Sequence, residues 1–345
     1  MLVGTSTPEH RPLLDEVTAR LRRSVPSFAT GKIEAVLEEA ARRLAPVVAS
    51  EVKERAHRPG AVELRLNLTC NQACFFCNCD GFAPNVLPNA AVAVDTAKQL
   101  GQQGAQSMVI TGGEPTLNHA LLDVVRAARD GGVTQVMVQT NGIKLAEPGF
   151  GAALHSAGAS ALFVSLHSCD AGVSDRITGT KETHALTLQG IDSALDDGMS
   201  VLTNFVINSL NLQEPPAYIS WLRERFRGTI SGRVFSFMAP VAAALNNLEL
   251  MPRVSEALPP LRAALDDCWR AQEWVRVAGV CGLPLCVLTG YERFCDEADN
   301  PPDVPLADDR MQLDSCAACT HARRCSGIWK RYVERYGAAD FIPIR

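Results

Sequence analysis

Three cysteines, Cys70, Cys74 and Cys77, stand in the spacing C-x3-C-x2-C immediately after the apolar run Leu64-Arg65-Leu66-Asn67-Leu68. Thiolates are soft ligands suited to iron–sulfur clusters or zinc. Three in one short loop can hold three irons of a cubane and leave the fourth open to a substrate or cofactor. The same loop can also form a zinc site completed by a distant fourth ligand. A second group lies near the end of the chain, where Cys316, Cys319 and Cys325 read C-x2-C-x5-C and follow Cys281, Cys286 and Cys295. Cys79 lies two residues past the first loop, while Cys169 and Cys268 stand on their own.

The segment Thr111-Gly112-Gly113-Glu114-Pro115-Thr116 is the other candidate for chemistry. Glycines without a Cβ let backbone groups approach a ligand, and the glutamate offers a carboxylate to a cationic amine. No Gly-Lys-Ser/Thr follows, so the segment is not a phosphate loop.

Composition limits the setting of this chemistry. Hydrophobic residues make up 47% and charged residues 21% of the 345, with a net charge of −5, as in a soluble globular chain with a real core. The acidic balance argues against a sequence-blind nucleic-acid partner, which needs a basic face. The N-terminus lacks the blocks of a signal peptide, and no apolar run is long enough to cross a membrane. A cytoplasmic, reducing address follows, where thiols serve as metal ligands or catalysts rather than disulfide halves. Twelve cysteines are also too few for a disulfide scaffold.

The elements that must position these residues fall into blocks. Residues 1–60 read as a helical N-terminal extension, with Ile33, Val36, Leu37, Ala40, Leu44, Val47 and Val48 at helical period and Pro46 as a kink. From 61 to 240, short apolar strands alternate with amphipathic helices. Strands are expected at Val62–Leu68, Ser107–Thr111, Gln135–Thr140, Ala161–His167, Ser200–Asn208 and Arg233–Met238. Helices include Ala90–Leu100 behind an Asn89 cap, and Ala120–Arg129. The alternation implies a parallel sheet of β–α units. One strand parity carries Arg65, Asn67, Gln139, Asn141, Ser165, His167, Asn204 and Asn208. Such side chains are costly under the helices of a flat doubly wound sheet but suit the wet interior of a barrel. The fold class expected is therefore α/β, a partial (β/α)6 open barrel. A linking helix at 241–274, with Cys268 in register with Leu261 and Leu265 as core, then leads to a small cysteine-rich domain at 275–345. The acidic stretch from Asp296 to Asp309 reads as a solvated loop or a dock for a basic partner.

The cysteine loop after strand one, joined to the Gly-Gly-Glu turn after strand two, resembles the radical SAM superfamily over about residues 61–240, and Phe76 before Cys77 matches that family's loop. The resemblance implies a [4Fe–4S] cluster on Cys70, Cys74 and Cys77, with S-adenosylmethionine (SAM) chelating the open iron. It implies that Gly112, Gly113 and Glu114 hold the methionyl amine. Ser165, His167 and Asn208 would contact ribose or carboxylate. Arg176 is either a partner for the SAM carboxylate or a surface arginine, and Cys169 is either a hydrogen-atom donor to a substrate radical or a small apolar filler.

The spacing of Cys316, Cys319 and Cys325 resembles the auxiliary-cluster domains of such enzymes, the SPASM type and its shorter Twitch relative. A full SPASM domain has a further cysteine where this chain has Trp329. The implied content is one auxiliary [4Fe–4S] cluster on Cys286, Cys316, Cys319 and Cys325, with Cys281 or Cys295 as alternatives to Cys286, or else a zinc site. The activity implied is reductive cleavage of SAM to a 5′-deoxyadenosyl radical that takes a hydrogen atom from the substrate. That substrate is a peptide side chain or, alternatively, a small molecule, and the electron donor is a protein such as flavodoxin or ferredoxin. A non-catalytic iron–sulfur or zinc protein is the competing reading.

Overall fold

The strand pattern at 61–240 pairs in chain order. A computed structural model describes residues 61–79, 89–279, 283–299 and 306–345. The helix expected at 1–60 and Cys281 lie outside these residues. The strands are β1 (Ala61–Arg65), β2 (Ser107–Thr111), β3 (Gln135–Thr140), β4 (Ala161–Ser165), β5 (Ser200–Ile207), β6 (Gly232–Phe237) and β7 (Val275–Val277). All seven are parallel, in the order β1-β2-β3-β4-β5-β6-β7. Sequential order without a reversal is that of an open barrel, whereas a doubly wound sheet changes direction at a switch point.

Periodicity predicts six strands, and a seventh is present. Its three residues, Val275, Arg276 and Val277, pair with Arg233, Val234 and Phe235. The sheet thus extends into the segment assigned from the sequence to the C-terminal domain.

Between the strands run α1 (Ala90–Gln102), α2 (Leu121–Asp130), α3 (Phe150–Ala157), α4 (Ala171–Thr178), α5 (Thr183–Asp196) and α6 (Pro215–Arg225). Asn89 caps α1 as expected, its Oδ1 accepting the Val92 N–H at 3.0 Å. The sheet face beneath the helices is apolar. Leu64, Ile110, Val138 and Leu162 stand in register across four strands and are all buried. Each such side chain contributes about 1.5–3 kcal/mol on burial.

The opposite parity carries the polar row. Arg65, Gln139 and Ser165 are only partly buried, while Asn204 is buried and its Oδ1 accepts the Ser236 hydroxyl at 2.8 Å. These groups find partners or water inside an unclosed barrel, where a covering helix would have left them unpaired.

After β6 the chain makes two short turns, Ala242–Asn246 and Leu248–Leu250, then enters α7 (Val254–Arg270). Cys268 on α7 is fully buried, as its register with Leu261 and Leu265 implies. The remainder is mostly turns, with α8 (Asp296–Asp299), the antiparallel pair β8 (Arg310–Met311) and β9 (Ile328–Trp329), and α9 (Lys330–Tyr336). Two tyrosines tie α9 to the segment after β6: the Tyr332 hydroxyl accepts the Val254 N–H at 2.7 Å, and the Tyr336 hydroxyl donates to the Met251 carbonyl at 2.6 Å.

The acidic stretch is not wholly solvated. Glu297 is buried, and one carboxylate oxygen accepts the Ser326 N–H at 3.2 Å. Burial holds its carboxyl above the usual range. Asp308 and Asp309 are exposed as expected.

Candidate functional site

The loop after β1 carries Cys70, Cys74 and Cys77 at the C-terminal end of the sheet. Its backbone is fixed from two sides. The Ala73 and Phe75 N–H groups donate to the carbonyls of Thr178 and Ile177 at the end of α4, at 2.8 and 3.4 Å. The Cys77 carbonyl accepts the Ala243 N–H at 3.1 Å, and the Asn247 side-chain amide donates to the Phe75 carbonyl at 3.1 Å. Cys70 is exposed, whereas Cys74 and Cys77 are half-buried.

The thiols lie within one another's field. Burial pushes the Cys74 thiol up to about 12, and the neighbouring Cys77 and Cys70 add to the rise. Cys70 is raised by burial, then by Glu114 and Cys77. Protonated thiols so placed deprotonate when a cation takes the negative charge, which is the chemistry of a metal–thiolate site. Cys79 belongs to the same group, because it shares a hydrogen bond with Cys77 that raises its own pKa and donates to the Gly112 carbonyl at 2.7 Å.

The Gly112–Glu114 turn docks against this loop. A Cβ at Gly113 would stand 2.4 Å from both the Leu68 and Thr69 carbonyl oxygens, and one at Gly112 would stand 2.5 Å from the Asn67 carbonyl oxygen. Gly112 also has φ +146°, a value that side chains rarely adopt. On the side where a Cβ would stand, the space at these glycines is used by the chain itself. The Gly113 N–H bonds the Asn67 carbonyl at 2.6 Å and the Glu114 N–H bonds the Thr69 carbonyl at 2.8 Å.

Glu114 is buried and joins the ends of β2 and β3. Its Oε1 accepts the Thr116 N–H at 3.0 Å and the hydroxyls of Thr116 and Thr140 at 2.7 Å each. Its Oε2 accepts the Asn141 N–H at 2.6 Å. Burial raises its carboxyl in spite of these four bonds. A cationic amine at Oε2 would offset that cost.

The other expected contacts divide. Ser165 ends β4, partly buried. His167 is buried and neutral: desolvation pushes it down to about 4, and Nδ1 accepts the Val206 N–H at 3.2 Å. Phe76 meets its ring edge-on, with centroids 5.1 Å apart. Asn208 is tied into its own turn. It is fully buried, its Nδ2 donates to the Val206 carbonyl and its Oδ1 accepts the Leu210 N–H, both at 2.9 Å. Its backbone N–H also donates to Asn211 Oδ1 at 2.8 Å. Arg176 is exposed on the last turn of α4.

Cys169 is half-buried, its Sγ 3.9 Å from Glu214 Oε2, which also accepts the Ser168 hydroxyl at 2.7 Å. Burial and then Glu214 raise the thiol, so it remains protonated. Sequence reasoning passed over Glu214, whose only local signal is a helix start before Pro215-Pro216. It likewise missed Asn141 and Asn247 as partners of the cysteine loop. Asn141-Gly142 at a strand end does carry a turn signal.

At the other end of the chain, Cys286, Cys316, Cys319 and Cys325 line one cavity together with His321, Gln312, Phe341 and Ile344. The cavity is partly open to solvent. Burial lifts Cys286 to about 12, and Cys325, Cys316 and Cys319 add to the rise. Among the described residues no three His, Cys, Asp or Glu side chains are grouped so as to hold a single metal ion as they stand. Cys295 is set apart from this cavity. It is buried beside β7, where it bridges to Val277, and its Sγ points to the Tyr291 carbonyl at 3.7 Å. Trp329 is also buried, with the Arg310 guanidinium stacked 3.2 Å from its ring centre, so core packing occupies the position where a SPASM domain places a cysteine.

Residues 65–222 match the family model described as the Radical SAM superfamily, and the chain carries a radical SAM domain. A domain of this family implies a [4Fe–4S] cluster and SAM. Over 161 residues the chain is 35% identical to a probable GTP 3′,8-cyclase of Saccharolobus solfataricus, which is 46% of this chain and 51% of that protein. It is 33% identical over 156 residues to the Sulfurisphaera tokodaii protein of the same description, 44% and 49% of the two chains. The chain thus spans about half the length of these curated relatives. The fold is similar to that of Streptococcus suis SuiB bound to S-adenosylmethionine, with TM-score 0.57 and 13% identity over 97% of this chain and 87% of SuiB. SuiB bound to the precursor peptide SuiA gives TM-score 0.51 at 14% identity, over 71% and 53%. Among the described residues no helix is long and apolar enough to cross a membrane.

Proposed function

We propose that this chain is a radical SAM enzyme. A [4Fe–4S] cluster would be held by Cys70, Cys74 and Cys77, and the supporting observation is that these thiols lie within one another's field, with Cys70 also in that of the Glu114 carboxylate. When bound, the cluster and SAM supply a 5′-deoxyadenosyl radical that takes a hydrogen atom from the substrate. The protein's part is to hold and shield. Glu114, anchored by Thr116, Thr140 and Asn141, presents Oε2 to the methionyl amine. Phe76 and His167 close the wall beneath the loop, and the neutral imidazole keeps charge away from it. Ser165, at the end of β4, would contact ribose or carboxylate, and the exposed Arg176 would pair with the SAM carboxylate. Cys169, kept protonated beside Glu214, would be a hydrogen-atom donor to the substrate radical.

The four thiols around the C-terminal cavity would hold one auxiliary [4Fe–4S] cluster, with Cys286 as the fourth ligand. A small cysteine-rich domain beginning after β7 would then act as its cage. The electron donor would be a small redox protein such as flavodoxin or ferredoxin.

A peptide side chain is the substrate class favoured, on the fold likeness to SuiB, whose structure has also been solved bound to the precursor peptide SuiA. The second reading, a small-molecule reaction in cofactor synthesis, is favoured by the 35% identity to probable GTP 3′,8-cyclases. Reconstituted protein supplied with SAM and reductant, with and without GTP, separates the two. GTP consumption coupled to 5′-deoxyadenosine supports the second reading. Indifference to GTP, with a mass change on a supplied cognate peptide, supports the first.

A further inference from the structure

Asn141 stands directly after β3 and touches both halves of the cysteine site. Its backbone N–H donates to Glu114 Oε2 at 2.6 Å, and its side-chain Oδ1 accepts the Ile143 N–H at 3.1 Å, which fixes the side chain's rotation. The side-chain amide then has two hydrogens to place. One goes to Asn71 Oδ1 at 2.6 Å and the other points at Cys70 Sγ, 3.9 Å away. The Thr187 hydroxyl holds the same residue from behind by donating to the Asn141 carbonyl at 2.9 Å. Asn141 itself is buried, whereas Asn71 and Cys70, which accept from it, lie at the surface.

We propose that Asn141 is a positioning residue that donates an N–H···S hydrogen bond to the Cys70 sulfur and thereby helps to set the reduction potential of the cluster that Cys70 helps to hold. The inference rests on the reading of Cys70, Cys74 and Cys77 as cluster ligands. Its physical basis is general. A donor aimed at a ligand sulfur favours the more negative, reduced state, and hydrogen bonds to sulfur are among the levers that set cluster potentials. The bond spans 71 residues of chain, so no reading of local spacing would pair these two side chains.

The test compares N141S and T187V with the unaltered chain. The shorter hydroxyl side chain in N141S still accepts the Ile143 N–H as a turn residue but cannot reach Cys70. T187V removes the support behind Asn141 and leaves its amide in place. Each protein is reconstituted anaerobically, its iron is counted, and the cluster potential is read by EPR-monitored redox titration without SAM. N141S is expected to hold its iron and to be harder to reduce by about tenfold, ~59 mV for one electron, with T187V unchanged. An unshifted N141S, or an equal shift in T187V, overturns the proposal. If N141S loses the cluster, N141Q decides: restored iron supports the amide donor, whereas continued loss marks a packing role and overturns it. Because SAM is absent from the titration, failure of the unaltered chain to cleave SAM would count against the enzyme reading and leave this proposal standing.

Discussion

Phe76 of the cysteine loop packs edge-on against His167 after β4, their ring centroids 5.1 Å apart and their planes at 83°. The contact joins the loop that offers thiols to the strand end that carries the ribose-facing candidates. It also makes the loop's seat depend on the charge of an imidazole. His167 is pushed down to about 4 from 6.5 by burial. The folded value lies below the unfolded one, so this histidine's stabilising contribution is full above about 6.5 and is lost as pH falls toward 4. At pH 5 the loss is roughly 1–2 kcal/mol. Urea unfolding at pH 8 and pH 5 should show it, and the pH 8-to-5 difference should shrink in His167→Gln, which cannot take up a proton.

Glu114 gathers two backbone N–H groups and two hydroxyls. Glu114→Ala strands those donors in a buried site, at about 1–3 kcal/mol for each that finds no water. A loss of roughly 3 kcal/mol in unfolding free energy is expected, together with loss of SAM binding by equilibrium dialysis. Glu114→Gln keeps Oε1 as an acceptor, so it should recover most of the stability but not the amine affinity.

Gly113→Ala tests the docking of the turn against the cysteine loop. The new Cβ would meet two carbonyl oxygens at 2.4 Å, both on backbone that cannot move without displacing the loop. Overpacking of this kind costs about 1–3 kcal/mol. The visible outcome should be iron lost from the first site and kept at the second.

The C-terminal thiols make a sharper distinction than their spacing allows. Cys286 lines the cavity with Cys316, Cys319 and Cys325, whereas Cys295 is packed beside β7. Anaerobically reconstituted protein should hold about eight irons. Cys286→Ala should hold about four, and Cys295→Ala should keep the full count while unfolding more easily. Retention by Cys286→Ala and loss by Cys295→Ala would reverse the assignment.

Much of the barrel was readable from periodicity, because a strand with one apolar parity and one polar parity leaves a clear trace. β2 and β3 begin and end where that alternation does. β7 left none, since three residues cannot establish a period, and only its pairing with β6 makes it a strand. The cysteine loop and the Gly-Gly-Glu turn were legible because their residue types are rare in combination. What the glycines are for was not, since the atoms that exclude a Cβ belong to residues 67–69. The turn bonds of Asn208 were hidden for the same reason: a polar residue at a strand end can serve a ligand or its own turn, and the sequence is the same in both cases. Glu297 lay hidden in an acidic run whose other described members largely face solvent. Cys286 stood ahead of Cys295 in the sequence only by its Leu283-Pro284-Leu285 lead-in, whereas the fold draws Cys286 into the cavity and sends Cys295 to the sheet edge.

The most direct measurement is SAM cleavage by reconstituted protein under anaerobic conditions with a strong reductant, followed as 5′-deoxyadenosine. The unaltered chain should form it, Cys74→Ala should not, and Cys319→Ala should retain formation of the nucleoside. Protein that holds its full iron and reduces it, yet releases no 5′-deoxyadenosine, would contradict the assignment of Cys70, Cys74 and Cys77 to radical SAM chemistry.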